Sequence, residues 1–280
     1  MLDLDGTDPD SLVNMLKMSF SCEYWPAIIQ ISEKLFELTA ITYEMSNCNS
    51  TQPELKRDIV YYFGYSLLMK GIALQKMNRF SEARECIGRY KNLDWIKNLS
   101  ADGLAEIEYF RNISIANTYV IDLLEGKIEV LPHYVEFIRN SDKEEILAGL
   151  ITVLESAIRF NYSIDWIINE FKDQIRVRSE QDKKEEVRYY LDYLYLLAAY
   201  YYKQRRASDT INLILEILIL SDKLEDSIGF RKSVAFYEMI RDHATKDQQQ
   251  VYRATMKIIV ERVFEDDEKN FISDDHLIAD

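Results

Sequence analysis

Glycine and proline are scarce in this chain, and their scarcity limits the folds that it can adopt. Eight Gly and four Pro occupy 12 of the 280 positions, about 4%, whereas average usage of the two residues together is about 12%. So few chain-reversing residues leave little room for the tight turns of β-sheets. With 48% hydrophobic residues, the chain is neither disordered nor collagen-like. We therefore expect an all-α protein that is at least about 70% helical.

Apolar residues recur every three or four positions along nearly the whole chain, which is typical of amphipathic helices. The first helix begins at Asp8-Pro9, where an N-cap residue precedes a proline at the first helical position. The second helix begins at about Trp25 and pairs with the first. The five further predicted pairs are 53–76 with 80–90, 101–124 with 128–138, 143–160 with 164–175, 183–204 with 207–220, and 226–243 with 247–264.

This rhythm of helix pairs predicts a repeat architecture. Each pair spans about 35 to 45 residues, and no linker rich in Pro, Gly or Ser divides the chain, which is the pattern of an α-solenoid. We expect a right-handed α-solenoid of about six antiparallel helix pairs. The predicted domains are a tetratricopeptide-like helical repeat domain at 1–265 and an acidic, flexible tail at 266–280.

Residues 67–90 resemble a tetratricopeptide repeat. In such a repeat, Gly71 lets the first helix approach the second, and Ala83 lets the second helix cross the first. The other matching positions are Leu74, Phe80, Ile87 and Tyr90. Residues 190–218 resemble a second copy, which departs from the motif at Thr210, where alanine is usual.

A few good repeats among degenerate ones, in a tyrosine-rich chain, resemble the regulatory domain of peptide-responsive, quorum-sensing regulators of Gram-positive bacteria. The resemblance implies that a short signalling peptide binds in the concave groove of the solenoid. Most members of that family contact DNA through a helix-turn-helix domain before the solenoid, and no such domain is visible in this chain. The alternative function is a protein–protein interaction scaffold, or an antiactivator or phosphatase-like regulator of a response-regulator partner.

We also expect a homodimer formed through the C-terminal helices. Solenoids need their end repeats covered, and the last predicted pair is apolar on more than one side. The apolar residues of its final helix are Ile258, Ile259, Val260, Val263 and Phe264. The family resemblance also implies such a dimer.

Charge and cysteine usage exclude several other classes. A formal net charge of -14 opposes direct binding to nucleic acid, which needs clustered Lys and Arg. The uncharged, tyrosine-rich run at 193–202 has ten residues, and a membrane span needs about twenty. The three cysteines, Cys22, Cys48 and Cys86, are far apart and odd in number, as in reduced proteins. We therefore expect a cytoplasmic protein with no membrane contact.

No sequence motif of catalysis is visible. The chain has no nucleophile elbow, phosphate-binding loop, dinucleotide-binding turn or metal-ligand helix. The three histidines, His133, His243 and His276, have no His or Cys three or four residues away. We expect no catalytic residue, no metal and no cofactor.

The expected peptide site lies on the first helix of each pair, which lines the concave wall in this architecture. Spacing from the motif positions predicts its residues. They are Tyr65, Leu68, Ile72, Gln75, Lys76, Asn117, Val120, Arg159, Tyr195, Tyr202, Lys203, Glu238 and Arg241. Amides and hydroxyls can satisfy the peptide backbone, apolar residues can hold its side chains, and Lys or Arg can bind its carboxylate.

Overall fold

The computed structural model describes residues 2–47, 55–175 and 184–274. Helices make up 80% of the described residues, and none of these residues is in a strand. The prediction of an all-α chain that is at least about 70% helical is therefore confirmed. The predicted helix start at Pro53, the residues Cys48 and His276, and the end of the predicted tail at 275–280 lie outside the described residues.

The described residues form twelve α-helices. They are α1 (Pro9–Ser21), α2 (Trp25–Asn47), α3 (Ile59–Lys76), α4 (Phe80–Lys91), α5 (Ala101–Leu124), α6 (Leu131–Arg139), α7 (Lys143–Phe160), α8 (Asp165–Phe171), α9 (Lys184–Lys203), α10 (Ala207–Lys223), α11 (Ser227–Ile240) and α12 (Lys246–Asp274). Short 3-10 turns lie at Ile128–Val130 and Arg241–His243. None of the helices in the described ranges combines the length and hydropathy needed to cross a membrane.

The chain forms two compact units, Met1–Phe137 and Ile138–Asp280. In the first unit, each helix from α1 to α4 packs on the next one, and α3 also contacts α1 and α5. Helix α3 is therefore the centre of this unit, and 12 of its 18 residues are buried. In the second unit α10 is central, since it packs on α9, α11 and α12, while α7 packs on α9.

Helix α3 begins later than predicted, at Ile59, because Asp58 provides its N-cap. The Asp58 carboxylate accepts a hydrogen bond from the backbone N–H of Val60 at 3.4 Å. It also accepts one from the hydroxyl of Ser100 at 2.8 Å. Ser100 in turn caps α5 by accepting from the backbone N–H of Gly103 at 3.1 Å. The first turns of α3 and α5 are thus joined through one carboxylate.

Helices α3 and α4 approach closely at the position where the repeat motif needs a small residue. A Cβ atom added to Gly71 would lie 3.3 Å from Cβ of Cys86 and 3.8 Å from the backbone oxygen of Ala83. Both Ala83 and Cys86 are buried. A larger side chain at Gly71 would therefore push the two helices apart.

The largest of the remaining differences from the predicted helix bounds are at the ends of α8 and α12. Helix α8 ends at Phe171 rather than at 175, and α12 continues to Asp274 rather than ending at 264. No Gly or Pro interrupts residues 246–274, so the acidic sequence contains no strong stop signal. The start of α12 is held on α10 by Gln248, whose Nε2 donates to Oδ1 of Asn212 at 2.7 Å.

Candidate functional site

The predicted peptide-binding residues fall into two sets, one in each unit. Those of the first unit lie on α3 and α5: Tyr65, Leu68, Ile72, Gln75, Lys76, Asn117 and Val120. Those of the second unit lie on α7, α9, α11 and the turn after α11: Arg159, Tyr195, Tyr202, Lys203, Glu238 and Arg241.

In the first unit, Tyr65 belongs to a stack of tyrosines along α3. Its ring is parallel to that of Tyr61, with centroids 5.3 Å apart and an interplanar angle of 13°. The guanidinium of Arg57 lies 4.2 Å from the centroid of the Tyr61 ring and forms a salt bridge of 3.2 Å with Glu106. Burial raises the pKa of Tyr65 to about 12. Tyr65 is half-buried, so part of this stack stays accessible.

The apolar residues predicted for the first unit belong mainly to its core. Leu68 and Val120 are buried. Ile72 is half-buried and packs against both hydrophobic clusters of the unit. Leu68 and Val120 therefore stabilise the fold and do not form an accessible floor for peptide side chains.

The amide of Asn117 faces the protein interior. Its Nδ2 donates a hydrogen bond of 2.9 Å to the phenol oxygen of Tyr90 on α4. Tyr90 is buried, and burial raises the pKa of its phenol. Asn117 thus satisfies a polar atom of the core, while Gln75 is half-buried and Lys76 is exposed.

In the second unit, Tyr195 and Tyr202 meet the same phenylalanine. Both rings lie edge-on to Phe236 of α11, with centroid distances of 6.0 Å and 5.6 Å. The Nζ atom of Lys232 lies 5.3 Å from the centroid of the Tyr195 ring. We call these four residues, Tyr195, Tyr202, Phe236 and Lys232, the aromatic surface. It is accessible, since Tyr202 is 44% exposed.

The aromatic surface extends along one side of α11. Lys232, Phe236 and Met239 are spaced at i, i+4 and i+7 and therefore share a helix face. The side chain of Met239 is 61% exposed. Edge-on packing leaves ring faces available to apolar groups and cations, and the exposed phenol of Tyr202 can donate or accept a hydrogen bond. This combination suits a ligand with both side chains and amide groups.

The charged residues predicted for the second unit have partners within the chain. Lys203 donates from Nζ to the backbone oxygen of Ile158 at 2.7 Å. That oxygen is one of the last four carbonyls of α7, which have no partner inside their own helix. Glu238 and Arg241 form a salt bridge of 2.9 Å, and both are exposed. Arg159 is exposed near the end of α7.

Sequence reasoning missed Phe236 and Lys232. Residues 226–264 keep the helix pair but lose the repeat motif, so no motif position marks Phe236 as the neighbour of Tyr195 and Tyr202. The available signal was the shared face of Lys232, Phe236 and Met239, because three such side chains on one helix face indicate either packing or binding.

Two cavities lie away from the predicted residues. One, of about 500 Å³, is in the second unit between α10 and α12. The other, of about 480 Å³, is in the first unit among α2, α3 and α4. No predicted peptide-binding residue lines either of them.

In the described ranges, no three side chains of His, Cys, Asp or Glu converge in a way that would hold a metal ion. The chain matches no protein-family model, no curated protein and no solved structure. Its function is therefore inferred from its own residues, from their geometry and from the repeat resemblance of residues 67–90 and 190–218.

Proposed function

We propose that this chain is the peptide-sensing regulatory domain of a cytoplasmic transcriptional regulator. In this proposal its helices continue as a right-handed α-solenoid, and a linear peptide of about five to ten residues binds along the first helices of the pairs. The aromatic surface of the second unit is the observation that carries the proposal. The separate helix-turn-helix domain expected from the family resemblance would make the DNA contact.

The geometry of the aromatic surface supports an extended peptide as the ligand. Tyr202 and Phe236 offer ring edges and faces on which apolar side chains can pack. The Tyr202 phenol can hydrogen-bond to a peptide amide, which keeps the peptide backbone satisfied when it leaves water. Lys232 places one positive charge beside the Tyr195 ring, where a peptide carboxylate can approach it.

The charge of the chain favours one class of peptide. With a formal net charge of -14, the protein attracts cationic peptides and repels strongly anionic ones at low salt. A neutral or cationic peptide with at least one apolar or aromatic side chain fits both this field and the aromatic surface.

Tyr202 can be tested against a matched residue of the same helix. A library of linear heptapeptides is screened against the full chain, and the binders are titrated calorimetrically. Tyr202→Ala should weaken binding by about 1–3 kcal/mol, because a packed ring and a buried hydrogen bond are lost. Tyr189 lies on the same helix and is also 44% exposed, so Tyr189→Ala should leave the affinity unchanged. Equal effects of the two substitutions, or a screen without binders, would contradict the proposal.

A second candidate function is an interaction scaffold or antiactivator that holds a protein partner. It is supported by the apolar side chains on α12, where Ile258 is 58% exposed, Val260 is 45% exposed and Phe264 is 65% exposed. Val260 and Phe264 are four residues apart and share a helix face, and exposed apolar residues that lie together mark protein interaction sites. The same residues also support a homodimer, in which a second copy of the chain covers them.

The homodimer and the scaffold would give complexes of different composition. A homodimer gives a particle of twice 33.1 kDa for the purified chain. A scaffold instead stays monomeric until a different protein binds, so the mass of the purified chain separates the two functions.

A further inference from the structure

The cavity of about 480 Å³ in the first unit has the features of a small-molecule site. It lies between α2 and α3, beside the end of α4. Its apolar lining includes Phe36, Ala40 and Leu67. A volume of about 300–1,000 Å³ with a mainly apolar lining is usual for ligand sites. It contains none of the residues assigned to the peptide, so it is separate from the proposed groove.

Two polar groups that line this cavity, the buried Ser32 hydroxyl and the exposed Arg89 guanidinium, form no hydrogen bond within the described part of the chain. The hydroxyl of Ser32 is buried, at 1% exposure of the residue, and no described residue forms a hydrogen bond with it. The guanidinium of Arg89 lies 4.5 Å from the centroid of the Phe36 ring. No carboxylate in the described part of the chain forms a salt bridge with it. A buried hydroxyl without a partner destabilises a protein, so an occupant that bonds to it would be favoured.

Both groups are neighbours of the Phe36 side chain. Ser32 precedes Phe36 by four residues on α2, so the two side chains share a helix face one turn apart. Arg89 lies over the Phe36 ring, so Phe36 lies between the two polar groups in the lining of the cavity.

The other charges of the cavity limit the ligand to a single negative charge. Lys70 is already bound to Glu33, with Nζ 2.7 Å from the carboxylate. Glu37 and Glu44 also line the cavity and are exposed. Of the two cations in the lining, Arg89 is thus the one without a carboxylate partner among the described residues, and the nearby carboxylates disfavour a dianion such as phosphate.

We propose that this cavity binds a small monocarboxylic acid with an apolar body, such as a medium-chain fatty acid. The ligand carboxylate accepts hydrogen bonds from Arg89, which matches a carboxylate in fork geometry, and from the hydroxyl of Ser32. The apolar body packs on Phe36, Ala40 and Leu67. The cavity would then be a second ligand site besides the proposed peptide groove. It would bind a metabolite in the unit that holds the Tyr61–Tyr65 stack.

Octanoate is the probe, and octanamide is its neutral counterpart with the same apolar body. Each is titrated into the full chain by calorimetry. We expect octanoate to bind at least about tenfold more tightly than octanamide, since only the carboxylate forms a charge-assisted pair with Arg89. Ser32→Ala should weaken octanoate binding about threefold to tenfold through the lost hydrogen bond.

Arg89 is tested against a matched lysine of the same helix. Arg89→Gln should weaken octanoate binding at least about tenfold. Lys91 is exposed at the end of α4 and does not line the cavity, so Lys91→Gln removes the same charge and should leave the affinity unchanged. Arg89→Lys, which keeps the charge but not the fork geometry, should fall between wild type and Arg89→Gln.

Thermal unfolding of the free variants shows whether each one is folded, and octanoate should raise the unfolding midpoint of the wild-type chain. The proposal is overturned if octanoate does not bind to the wild-type chain at about millimolar concentration. It is equally overturned if octanamide binds as tightly, or if Lys91→Gln weakens binding as much as Arg89→Gln does.

Discussion

The ring of Phe110 on α5 occupies the space that a side chain on Gly64 would need. A Cβ atom added to Gly64 would overlap the edge of that ring, because α3 and α5 cross there in direct contact. Phe110 is buried, so its ring is surrounded by other residues at the close packing of a protein interior.

We therefore predict that Gly64→Ala lowers the free energy of unfolding by about 1–3 kcal/mol through overpacking. The matched control is Gly88→Ala on α4, where no atom lies within 4 Å of an added Cβ. That change should instead stabilise the protein by about 0.5–1 kcal/mol, because alanine favours the helix. Urea denaturation of both variants measures the two effects, and a neutral Gly64→Ala would show that α5 can shift away from α3.

Asn117 should contribute to stability. Asn117→Ala removes the donor to the buried Tyr90 phenol and should lower the free energy of unfolding by about 1–3 kcal/mol. In the Asn117→Ala/Tyr90→Phe double variant no phenol is left unsatisfied, so the two losses should not add. A double-mutant cycle by urea denaturation measures the coupling. Strictly additive losses would mean that the hydrogen bond contributes nothing.

Alkaline pH should destabilise the fold because several tyrosines are buried in it. Burial raises the pKa of Tyr65 to about 12, and it also raises the pKa of Tyr193. The folded state therefore holds these protons more tightly than the unfolded chain, whose tyrosines ionise near pH 10. The stability that these protonated phenols contribute is fully present below about pH 10, and it is lost as the pH rises from about 10 to 12.

Free energies of unfolding between pH 8 and pH 11 (roughly the range that brackets tyrosine ionisation) would show this loss. Tyr193→Phe removes one of the phenols with a raised pKa, so its stability should fall less steeply above about pH 10 than that of the wild type. The same steepness in both proteins would mean that Tyr193 ionises freely in the folded state.

The exposed apolar residues of α12 should hold two copies of the chain together. Specific homodimers persist at roughly tens of micromolar protein. Light scattering of the purified chain in that range should give twice the mass of 33.1 kDa. Ile258→Glu should give a monomer, because a charge would be buried without a partner in the interface. Gln250 is exposed on the same helix, and Gln250→Glu makes the same charge change without affecting the dimer. A wild-type monomer would refute this prediction.

The sequence predicts most helices because their starts carry local chemical signals. Asp8 and Pro9 mark the start of α1, and the Asp8 side chain does accept a hydrogen bond from the backbone N–H of Ser11 at 3.0 Å. The late start of α3 was not predictable, because its N-cap Asp58 also receives a hydrogen bond from Ser100, 42 residues away. The end of α12 was missed because acidic composition indicates a tail but does not stop a helix.

In the candidate site, the sequence predicts which side chains share a helix face but not what covers that face. The helical period places Tyr195 and Tyr202 on one face, since they are seven residues apart, and the structure brings them together around Phe236. The period does not say which neighbouring helix covers a face. Leu68 was therefore expected in a groove but is buried in the core, and the amide of Asn117 is used by Tyr90.

The carboxylate shared by the starts of α3 and α5 has a consequence for local motion. Asp58 caps α3 and also holds the hydroxyl of Ser100, which caps α5. When the first turn of either helix frays, the other loses part of its own cap. The amide protons of Val60 and Gly103 should therefore exchange with solvent in one shared opening event, so that a ligand holding either helix end would slow exchange at both.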